Sequence, residues 1–336
     1  VHSGDSACVI PPFTLSESIL DHVRQTTRVL ALELKVSGLI NIQFAVKDDR
    51  VYVLEVNPRA SRTVPFVSKA IGIPMAKMAA KVMAGKSLRE LGLGDTPTAG
   101  HFSIKEAVLP FGRFPEVDTV LGPEMKSTGE VMGIDARFGE AFAKSQLAAG
   151  FDLPTSGKVF VSVANRDKRN AIMVGQSLVG MGFEIVATSG TAEVMRKAGV
   201  PASTVLKVHE GRPNVVDLIK NREVGLVVNI PFGRGSRSDG YEIRTAAAAH
   251  GVPCITTLAA AQAVLTGIQA LMAGELTVKT LQDYQDGGVR HEQPDPSQEH
   301  DSPPPPSIGT GEQLSMLRET GGRDGAGTGR GAREIS

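Results

Sequence analysis

The sequence has 336 residues, more than one average domain, and its 41% hydrophobic and 21% charged residues are typical of a globular protein. Lys plus Arg and Asp plus Glu both total 36, and only 4% of residues are aromatic, which argues against nucleic acid and against a membrane surface as partners. Its two cysteines, the lack of a signal-peptide pattern and the lack of a long apolar run predict a cytoplasmic, metabolite-handling α/β protein without disulfides or membrane spans.

The chain begins with Val1 rather than Met, and residues 1–6 already look like part of a site, so we expect a fragment of a longer protein. The first predicted element is an amphipathic helix over 14–35, in which Thr14 and Glu17 form a capping-box pattern. Apolar residues recur along this helix at helical spacing: Ile19, Val23, Leu30 and Leu34.

Alternating apolar and polar residues over 39–57 predict a β-hairpin. A three-residue loop at 48–50 would place Gln43 opposite Glu55, with polar oxygens on one face and an apolar face against a core. A two-residue loop would place Gln43 opposite Leu54 and mix polar with apolar side chains on both faces. We therefore predict the three-residue loop, whose pairs are Lys47 with Val51, Gln43 with Glu55, and Asn41 with Asn57.

Beyond the hairpin, the sequence predicts helix with Gly and Pro interruptions over 64–92, a strand over 100–109 and a short Ala-rich helix over 139–149, before a linker at 151–157. A regular strand–helix alternation follows, which is typical of a parallel, Rossmann-like sheet with helices on both faces. Its predicted strands are 158–163, 184–187, 204–208, 224–229 and 254–256, and its predicted helices are 168–181, 191–198, 213–222, 239–250 and 258–273. Gly, Pro, Ser and charged residues dominate 286–336, which predicts a disordered tail.

One candidate site lies at the end of the hairpin. Glu55 and Asn57 are two residues apart on a strand, Gln43 is predicted opposite, and Arg59 and Arg62 follow. Mg²⁺ prefers hard oxygen ligands and shares them with substrate phosphates, which arginine binds in a bidentate manner. The alternative interpretation is an exposed polar hairpin face with surface arginines.

A second candidate site is the turn Ala187–Thr191, which joins a strand to a helix with hydroxyl groups and a glycine. Free amides at a helix N-terminus bind anions. Lys168 and Lys207 are predicted to lie at the same carboxyl edge of the sheet, where open α/β sheets bind ligands. Plain helix capping is the alternative for the turn taken alone.

Five stretches resemble one known family: Gln43, Glu55–Arg59, Arg62–Ala70, Leu121–Gly133 and Lys207–Pro213. The first three are similar to the metal-binding end of ATP-grasp domains, in particular those of carbamoyl phosphate synthetase large chains, and the last two strengthen the resemblance to these large chains. The resemblance runs from residue 1 to about 284. It implies that residues 1–150 are the C-terminal part of the second ATP-grasp unit and that 151–285 form a regulatory domain similar to methylglyoxal synthase. The expected fold class is α/β: a partial ATP-grasp α+β lobe, a Rossmann-like parallel-sheet domain and a disordered tail over 286–336.

The resemblance implies residue roles at the first site. Mg²⁺ or Mn²⁺ is implied, with K⁺ as a further ion, and the implied metal ligands are Gln43, Glu55 and Asn57. Arg59 is implied to be catalytic by contacting the phosphates, and ATP is implied to contact Val1, His2, Ser3, Gln43 and Glu55. No covalent nucleophile is required, so Cys8 and Cys254 are expected to be small buried hydrophobic residues.

The resemblance also implies two effector sites. A nucleotide effector, the inhibitor UMP or the activator IMP, is implied at Lys168, Thr188, Thr191, Lys207 and Asn229, although Asn229–Gly233 departs from relatives that place threonines after the Asn. Ornithine is implied at Asp5, Glu106 and Thr256, although Cys254 stands where an ornithine-responsive relative has a tyrosine. His209 has no paired nucleophile and is interpreted as a structural histidine.

The implied function is that of an ATP-dependent ligase, which phosphorylates carbamate to carbamoyl phosphate for arginine and pyrimidine synthesis under allosteric nucleotide control. A glutaminase small chain is the implied partner, and the fragment alone is expected to be inactive because the front lobes of the ATP-grasp unit are absent. One alternative is a regulatory module that binds a nucleoside monophosphate without catalysis. Another is a methylglyoxal synthase, which the sequence Asn229–Gly233 disfavours because it lacks the catalytic aspartates and histidine of that class.

Overall fold

The computed structural model describes residues 2–94, 100–113, 121–230 and 235–286. Val1, residues 231–233 of the divergent stretch and all but the first residue of the predicted tail lie outside these ranges. In the part of the chain that is described, no helix is both long and apolar enough to cross a membrane.

The first half of the chain contains a helix, a β-hairpin, two further helices and a three-stranded antiparallel sheet with a helix packed on it. The elements are β1 (Cys8–Ile10), α1 (Glu17–Glu33), β2 (Asn41–Lys47), β3 (Arg50–Asn57), α2 (Val64–Ile71), α3 (Met75–Met83), β4 (Phe102–Val108), β5 (Gly129–Asp135) and α4 (Phe138–Ala148). The sheet has the order β1-β4-β5. Its outer strands were not predicted, because β1 is three residues long and β5 contains two glycines.

Helix α1 begins later than predicted. Its N-cap is Ser16, which makes no side-chain capping bond, so the predicted capping box of Thr14 and Glu17 is wrong. The Ser16 hydroxyl instead lies 3.0 Å from the hydroxyl of Ser18. The predicted interruption within 64–92 is confirmed, because Gly72 ends α2 with a φ of 71° and α3 follows. The predicted helix beyond Met83 is wrong, because α3 ends there and turns follow.

The hairpin loop differs from the prediction. Lys47 pairs with Arg50 rather than with Val51, so the loop has two residues, Asp48 and Asp49. Both have positive φ, 50° and 56°. Two such residues form the type of tight turn whose twist matches that of paired strands, and Asp tolerates this conformation better than most residues do. The prediction of a three-residue loop is therefore wrong.

The predicted pairing at the far end of the hairpin is nevertheless present. The register shifts between Gln43 and Phe44: Phe44 pairs with Val53, whereas Gln43 pairs with Glu55. Leu54 is the extra residue of a β-bulge, and it restores the pairing that the shorter loop would have lost. The apolar face is less covered than expected, because Val53 and Leu54 are 44% and 64% exposed.

The second half forms a five-stranded parallel sheet with helices on both faces, which confirms the predicted fold class. Its elements are β6 (Lys158–Val163), α5 (Lys168–Gly180), β7 (Glu184–Thr188), α6 (Ser189–Lys197), β8 (Ser203–Val205), α7 (Val215–Lys220), β9 (Leu226–Ile230), α8 (Gly235–Ala249), β10 (Cys254–Ile255), α9 (Leu258–Ala273) and α10 (Leu281–Asp286). The strand order is β10-β9-β6-β7-β8. From β6 the chain adds β7 and β8 on one side, and it then returns to the other side of β6 to add β9 and β10. The order of the strands therefore changes direction between β6 and β9.

One hydrophobic core runs through both halves. It contains Ile104 and Phe142 from the first half together with Val161 and Ile268 from the second. Helix α4 packs against β5 on one side and α9 on the other, and a Cβ on Gly139 would lie 2.7 Å from the carbonyl oxygen of Thr266. The division at residue 150 stays a prediction about sequence organisation, since the core is continuous across it.

Candidate functional site

The first candidate site lies on one face of the β2–β3 hairpin. Gln43 is directly opposite Glu55, and Asn41 is directly opposite Asn57. Alternate residues of a strand project to the same face, so these four side chains share it at the end of the hairpin away from the loop. The structure therefore brings together all three of the predicted metal ligands.

Arg59 closes this end of the hairpin. Its backbone N–H donates to the carbonyl of Asn57 at 2.8 Å, which turns the chain directly after β3. Its guanidinium donates to the Asn57 Oδ1 atom at 3.3 Å and to the carbonyl of Ala60 at 3.1 Å. The predicted phosphate-binding group thus lies directly beside a predicted metal ligand.

The Met125 side chain lies between the N-terminal turn, residues 2–6, and Arg62, which follows the hairpin. Arg62 contacts the Met125 thioether, and a Cβ on Gly4 would lie 2.8 Å from the same sulfur. His2 is fixed within the turn: its N–H donates to the Gly122 carbonyl at 2.8 Å, and its Nδ1 accepts from the Gly4 N–H at 2.9 Å. Ser3 belongs to the same turn and is exposed. The described contacts of these residues do not include the hairpin itself.

The donor set at the hairpin fits a hard divalent cation. It offers one carboxylate and two side-chain amides whose oxygens are ligands for Mg²⁺, a cation that keeps water and phosphate oxygens in its other positions. Within the described ranges, no group of three or more His, Cys, Asp or Glu side chains is arranged to hold a metal. A site with a single carboxylate, Glu55, therefore depends on the amides and on the oxygens of a bound phosphate.

The second candidate site is a cavity of about 600 Å³ at the carboxyl ends of the parallel strands. It lies beside β6 and β9, where the strand order reverses, and the helices that follow these strands diverge there and leave a crevice. All five residues of the predicted effector site line it: Lys168, Thr188, Thr191, Lys207 and Asn229. Its volume is typical of pockets for small molecules.

Three of these residues form the buried floor of the cavity. Thr188, Thr191 and Asn229 are at most 8% exposed. The Thr188 hydroxyl donates to that of Thr191 at 3.4 Å and lies 3.3 Å from the hydroxyl of Ser162. The Nδ2 atom of Asn229 is buried without a hydrogen-bond partner among the described residues. A buried donor without a partner costs about 1 to 3 kcal/mol, and a ligand oxygen in the cavity would remove this cost.

Two lysines supply positive charge at the rim. Lys168 is the first residue of α5, and its Nζ lies 3.2 Å from the position of a Cβ on Gly190, directly over the first turn of α6. Lys207 lies on the other side, where its Nζ is 3.4 Å from Glu210. Because Thr188 makes no side-chain capping bond to α6, the amides of that first turn are open to an anion that Lys168 would also bind.

The sequence did not identify Asp239 as part of this site. Asp239 lines the cavity, and its carboxylate lies 2.6 Å from the Nε2 atom of His209. This contact places His209 beside a carboxylate of the cavity, and its role as a structural histidine stays a prediction. No motif marks Asp239, which lies in α8 and is identified as a cavity residue only from the fold.

The third predicted set is not brought together by the contacts of the described residues. The Asp5 carboxylate accepts hydrogen bonds from the backbone of Lys126 at 3.0 Å and of Ser127 at 2.8 Å. Burial raises the pKa of Asp5, but these donors outweigh that effect and hold the pKa below its ordinary value. Glu106 accepts from the Gln146 amide at 2.7 Å, and Thr256 is exposed after β10.

Neither cysteine has the properties of a reactive thiol. Both are half-buried and unpaired. Desolvation raises the pKa of the Cys254 thiol to about 12 and also raises the pKa of Cys8, so both are protonated at neutral pH. This agrees with the expectation that neither serves as a nucleophile.

Comparison with known proteins finds a match to one family model in each half of the chain. Residues 1–91 match the model of the carbamoyl-phosphate synthase L chain ATP binding domain, and residues 170–256 match the MGS-like domain. The first match contains the hairpin, and the second contains four of the five predicted effector residues.

Similar proteins extend the match to most of the chain. Carbamoyl phosphate synthase large chains from Rhodopirellula baltica and Archaeoglobus fulgidus are each 54% identical over 84% of this chain, which spans about a quarter of their length, 26%. A protein of the same name from Methanosarcina barkeri is 54% identical over 285 residues, and these cover 84% of this chain and 72% of that protein. Since both halves match in order and at this identity, the chain belongs to the carbamoyl phosphate synthase large-chain family.

Proposed function

We propose that this chain is part of an ATP-dependent ligase that phosphorylates carbamate to carbamoyl phosphate. The observation that carries the proposal is the pairing of Gln43 with Glu55 beside Asn57 and Arg59, within the segment that matches an ATP-binding domain. Transfer of a phosphoryl group requires mainly positioning and neutralisation of charge, and this group of side chains supplies both.

The proposed roles follow from the chemistry of each side chain. Gln43, Glu55 and Asn57 would hold Mg²⁺ or Mn²⁺, which when bound neutralises phosphate charge, and K⁺ is a further proposed ion. Arg59 would bind the phosphates through the guanidinium that now donates to Asn57. Val1, His2 and Ser3 would contact ATP.

We also propose that the cavity binds a nucleoside monophosphate, UMP or IMP, as an allosteric effector. The phosphate would lie at the first turn of α6 beside Lys168, and the hydroxyls of Thr188 and Thr191 would face it. Asn229 would donate its unpartnered Nδ2 to a ligand oxygen, and Lys207 would exchange Glu210 for the ligand. The volume and the charge of the cavity support a ligand of this size and sign.

The proposal includes the setting of the complete enzyme. A glutaminase small chain would supply ammonia, the product would serve arginine and pyrimidine synthesis in the cytoplasm, and this chain alone would be inactive. Ornithine remains a proposed ligand of Asp5, Glu106 and Thr256. To bind it, Asp5 would have to accept the ligand's amino group in addition to its two backbone donors.

A second candidate function is a regulatory module that binds a nucleoside monophosphate without catalysis. The observation that favours it is that all described residues lining the cavity belong to the parallel sheet, its helices and their connections, which lie in the second half of the chain. The two functions differ in what they require of the hairpin, since the module alone needs no metal there.

Binding of Mn²⁺, measured from the electron paramagnetic resonance signal of the free ion with ADP present, separates the two. The ligase proposal predicts a saturable site that Glu55→Gln weakens at least tenfold, because one charge-assisted ligand bond is lost. Glu33→Gln, at an exposed position at the end of α1, is the matched control. Equal Mn²⁺ binding by Glu55→Gln and the wild type would contradict the ligase proposal and leave the module.

A further inference from the structure

We call the last described segment, Lys279–Asp286, the strap. It follows α9, the final helix of the parallel-sheet half, and it contains α10. Thr280 and Asp283 cap it reciprocally: the Thr280 N–H donates to Asp283 at 3.2 Å, and the Asp283 N–H donates to the Thr280 hydroxyl at 3.1 Å. The strap is therefore an ordered turn of helix with its own capping box.

The strap contacts the other half of the chain through Gln285. Its Nε2 atom donates to the carbonyl of Lys69 at 2.8 Å, across 216 positions of sequence. The stem of Gln285 also covers Gly72, the residue that ends α2, at 3.4 Å from the position of a Cβ. Lys69 is one of the last four residues of α2, whose carbonyls lack partners inside the helix.

Tyr284 makes the second contact. Its ring lies edge-on to the ring of His101, with centroids 5.7 Å apart, and its hydroxyl lies 3.5 Å from the Nζ atom of Lys144. The ammonium groups of Lys144 and Lys279 are 6.0 and 5.9 Å from its ring centre. Among the described residues, the contacts of Tyr284 beyond the strap itself are with the first 150 residues.

His101 connects Tyr284 to the same end of α2. It is 5% exposed, and its Nε2 atom lies 3.0 Å from the carbonyl of Ala70. Two consecutive carbonyls at the end of α2 are thus held, the first by Gln285 directly and the second by a histidine against which Tyr284 packs. The opposite end of α2 follows Arg59 and Arg62.

We propose that the strap is a positioning device, in which Tyr284 and Gln285 fix the C-terminal end of α2, the helix that follows the proposed phosphate-binding residue Arg59. The strap joins the end of the parallel-sheet half to the first half of the chain, which contains the hairpin. This contact is separate from the one between α4 and α9. Its significance for catalysis rests on the proposed function of the hairpin, whereas the positioning itself does not.

Hydrogen exchange followed by mass spectrometry on the whole 336-residue chain tests the strap. Gln285→Glu removes the donor to Lys69 and places a negative charge at a helix C-terminus, where it is unfavourable. Gln282→Glu adds the same charge at an exposed position of the same helix and is the matched control. Tyr284→Ala removes the ring contact, and Tyr284→Phe keeps it.

The proposal predicts that the amides at the end of α2 exchange about three to ten times faster in Gln285→Glu and Tyr284→Ala. It predicts unchanged exchange in Gln282→Glu and rescue of most of the protection in Tyr284→Phe. Strand β9 should exchange at the wild-type rate in all four. Unchanged exchange of α2 in Gln285→Glu and Tyr284→Ala, or equal acceleration in β9, would overturn the proposal.

A pair of truncated chains gives a second measurement. A chain ending at Asp286 keeps the strap, and a chain ending at Val278 lacks it. The proposal predicts faster exchange of α2 in the shorter chain only, and equal rates would overturn it. Neither measurement involves a metal, so loss of Mn²⁺ binding at the hairpin would refute the proposed function without affecting the strap.

Discussion

Gln43 and Glu55 lie directly opposite each other across the β2–β3 hairpin, although the two-residue loop alone would pair Gln43 with Leu54. The bulge at Leu54 accounts for the difference, because it adds one residue to β3 between the loop and the site. The loop and the bulge together fix which side chains share the proposed metal-binding face.

Deleting Leu54 is predicted to preserve this face. Without the extra residue, the two-residue loop pairs Gln43 with Glu55 in a regular ladder, so the affinity for Mn²⁺ with ADP should stay within about threefold of the wild type. Deleting Asp49 instead shortens the loop and forces the register to slip, and binding should be lost. Electron paramagnetic resonance of free Mn²⁺ measures both, and loss of binding in the Leu54 deletion alone would refute the role of the bulge.

Replacing Asn229 in the cavity is predicted to raise the stability of the fold and to weaken ligand binding. Asn229→Leu replaces a buried donor that has no partner with an apolar side chain of similar size, so the free energy of unfolding should rise by about 1 kcal/mol. The same change removes the proposed donor to the ligand and should weaken nucleoside monophosphate binding at least tenfold. Urea unfolding and calorimetry test the two effects. A variant that is destabilised, or that binds as the wild type does, would count against the assigned role of Asn229.

Strand β5 packs so closely against α4 that a methyl group added at Gly133 is predicted to destabilise the protein. A Cβ on Gly133 would overlap the carbonyl oxygen of Ala141 and lie 2.5 Å from the Ser145 nitrogen, so Gly133→Ala should lower the free energy of unfolding by about 1 to 3 kcal/mol. Gly180→Ala is the control, because open space surrounds that position at the end of α5 and alanine favours a helix. Denaturant unfolding should show opposite changes in the two variants.

Glu106 predicts a dependence of stability on pH. Burial raises the pKa of its carboxyl, against the opposing effect of the Ala107 N–H and the Gln146 amide. A raised pKa in the folded state means that ionisation opposes folding, so the stability of the wild type falls as the pH rises above the ordinary pKa of glutamate.

Glu106→Gln removes this ionisation and keeps an oxygen for the Gln146 amide to donate to. It should therefore be more stable than the wild type at pH 7, with a gain that shrinks as the pH falls toward the ordinary glutamate value of 4.5 and then disappears. Thermal unfolding at several pH values measures the difference. A gain that grows on acidification would contradict a raised pKa at Glu106.

The strand–helix alternation of the parallel sheet was predictable because each buried strand is a short apolar run followed by a helical pattern. The pairing of Gln43 with Glu55 was also predictable, since only one register separates polar from apolar side chains. The loop length was not, because a bulge is invisible to a count of alternating residues. Asp239 and the strap were missed for a different reason: their roles depend on contacts with distant residues such as His209 and Lys69.

Calorimetry of the whole chain with UMP and with IMP, repeated with Lys168→Ala, tests directly whether the cavity of the parallel sheet binds a nucleotide effector. Lys168 lies over the first turn of α6, where the phosphate is proposed to bind. If the proposed effector site is present, at least one nucleotide binds saturably. Its affinity is at least tenfold lower in Lys168→Ala, because a charged hydrogen bond is lost. Absence of binding by both nucleotides, or equal affinity in Lys168→Ala, would contradict the proposed effector site.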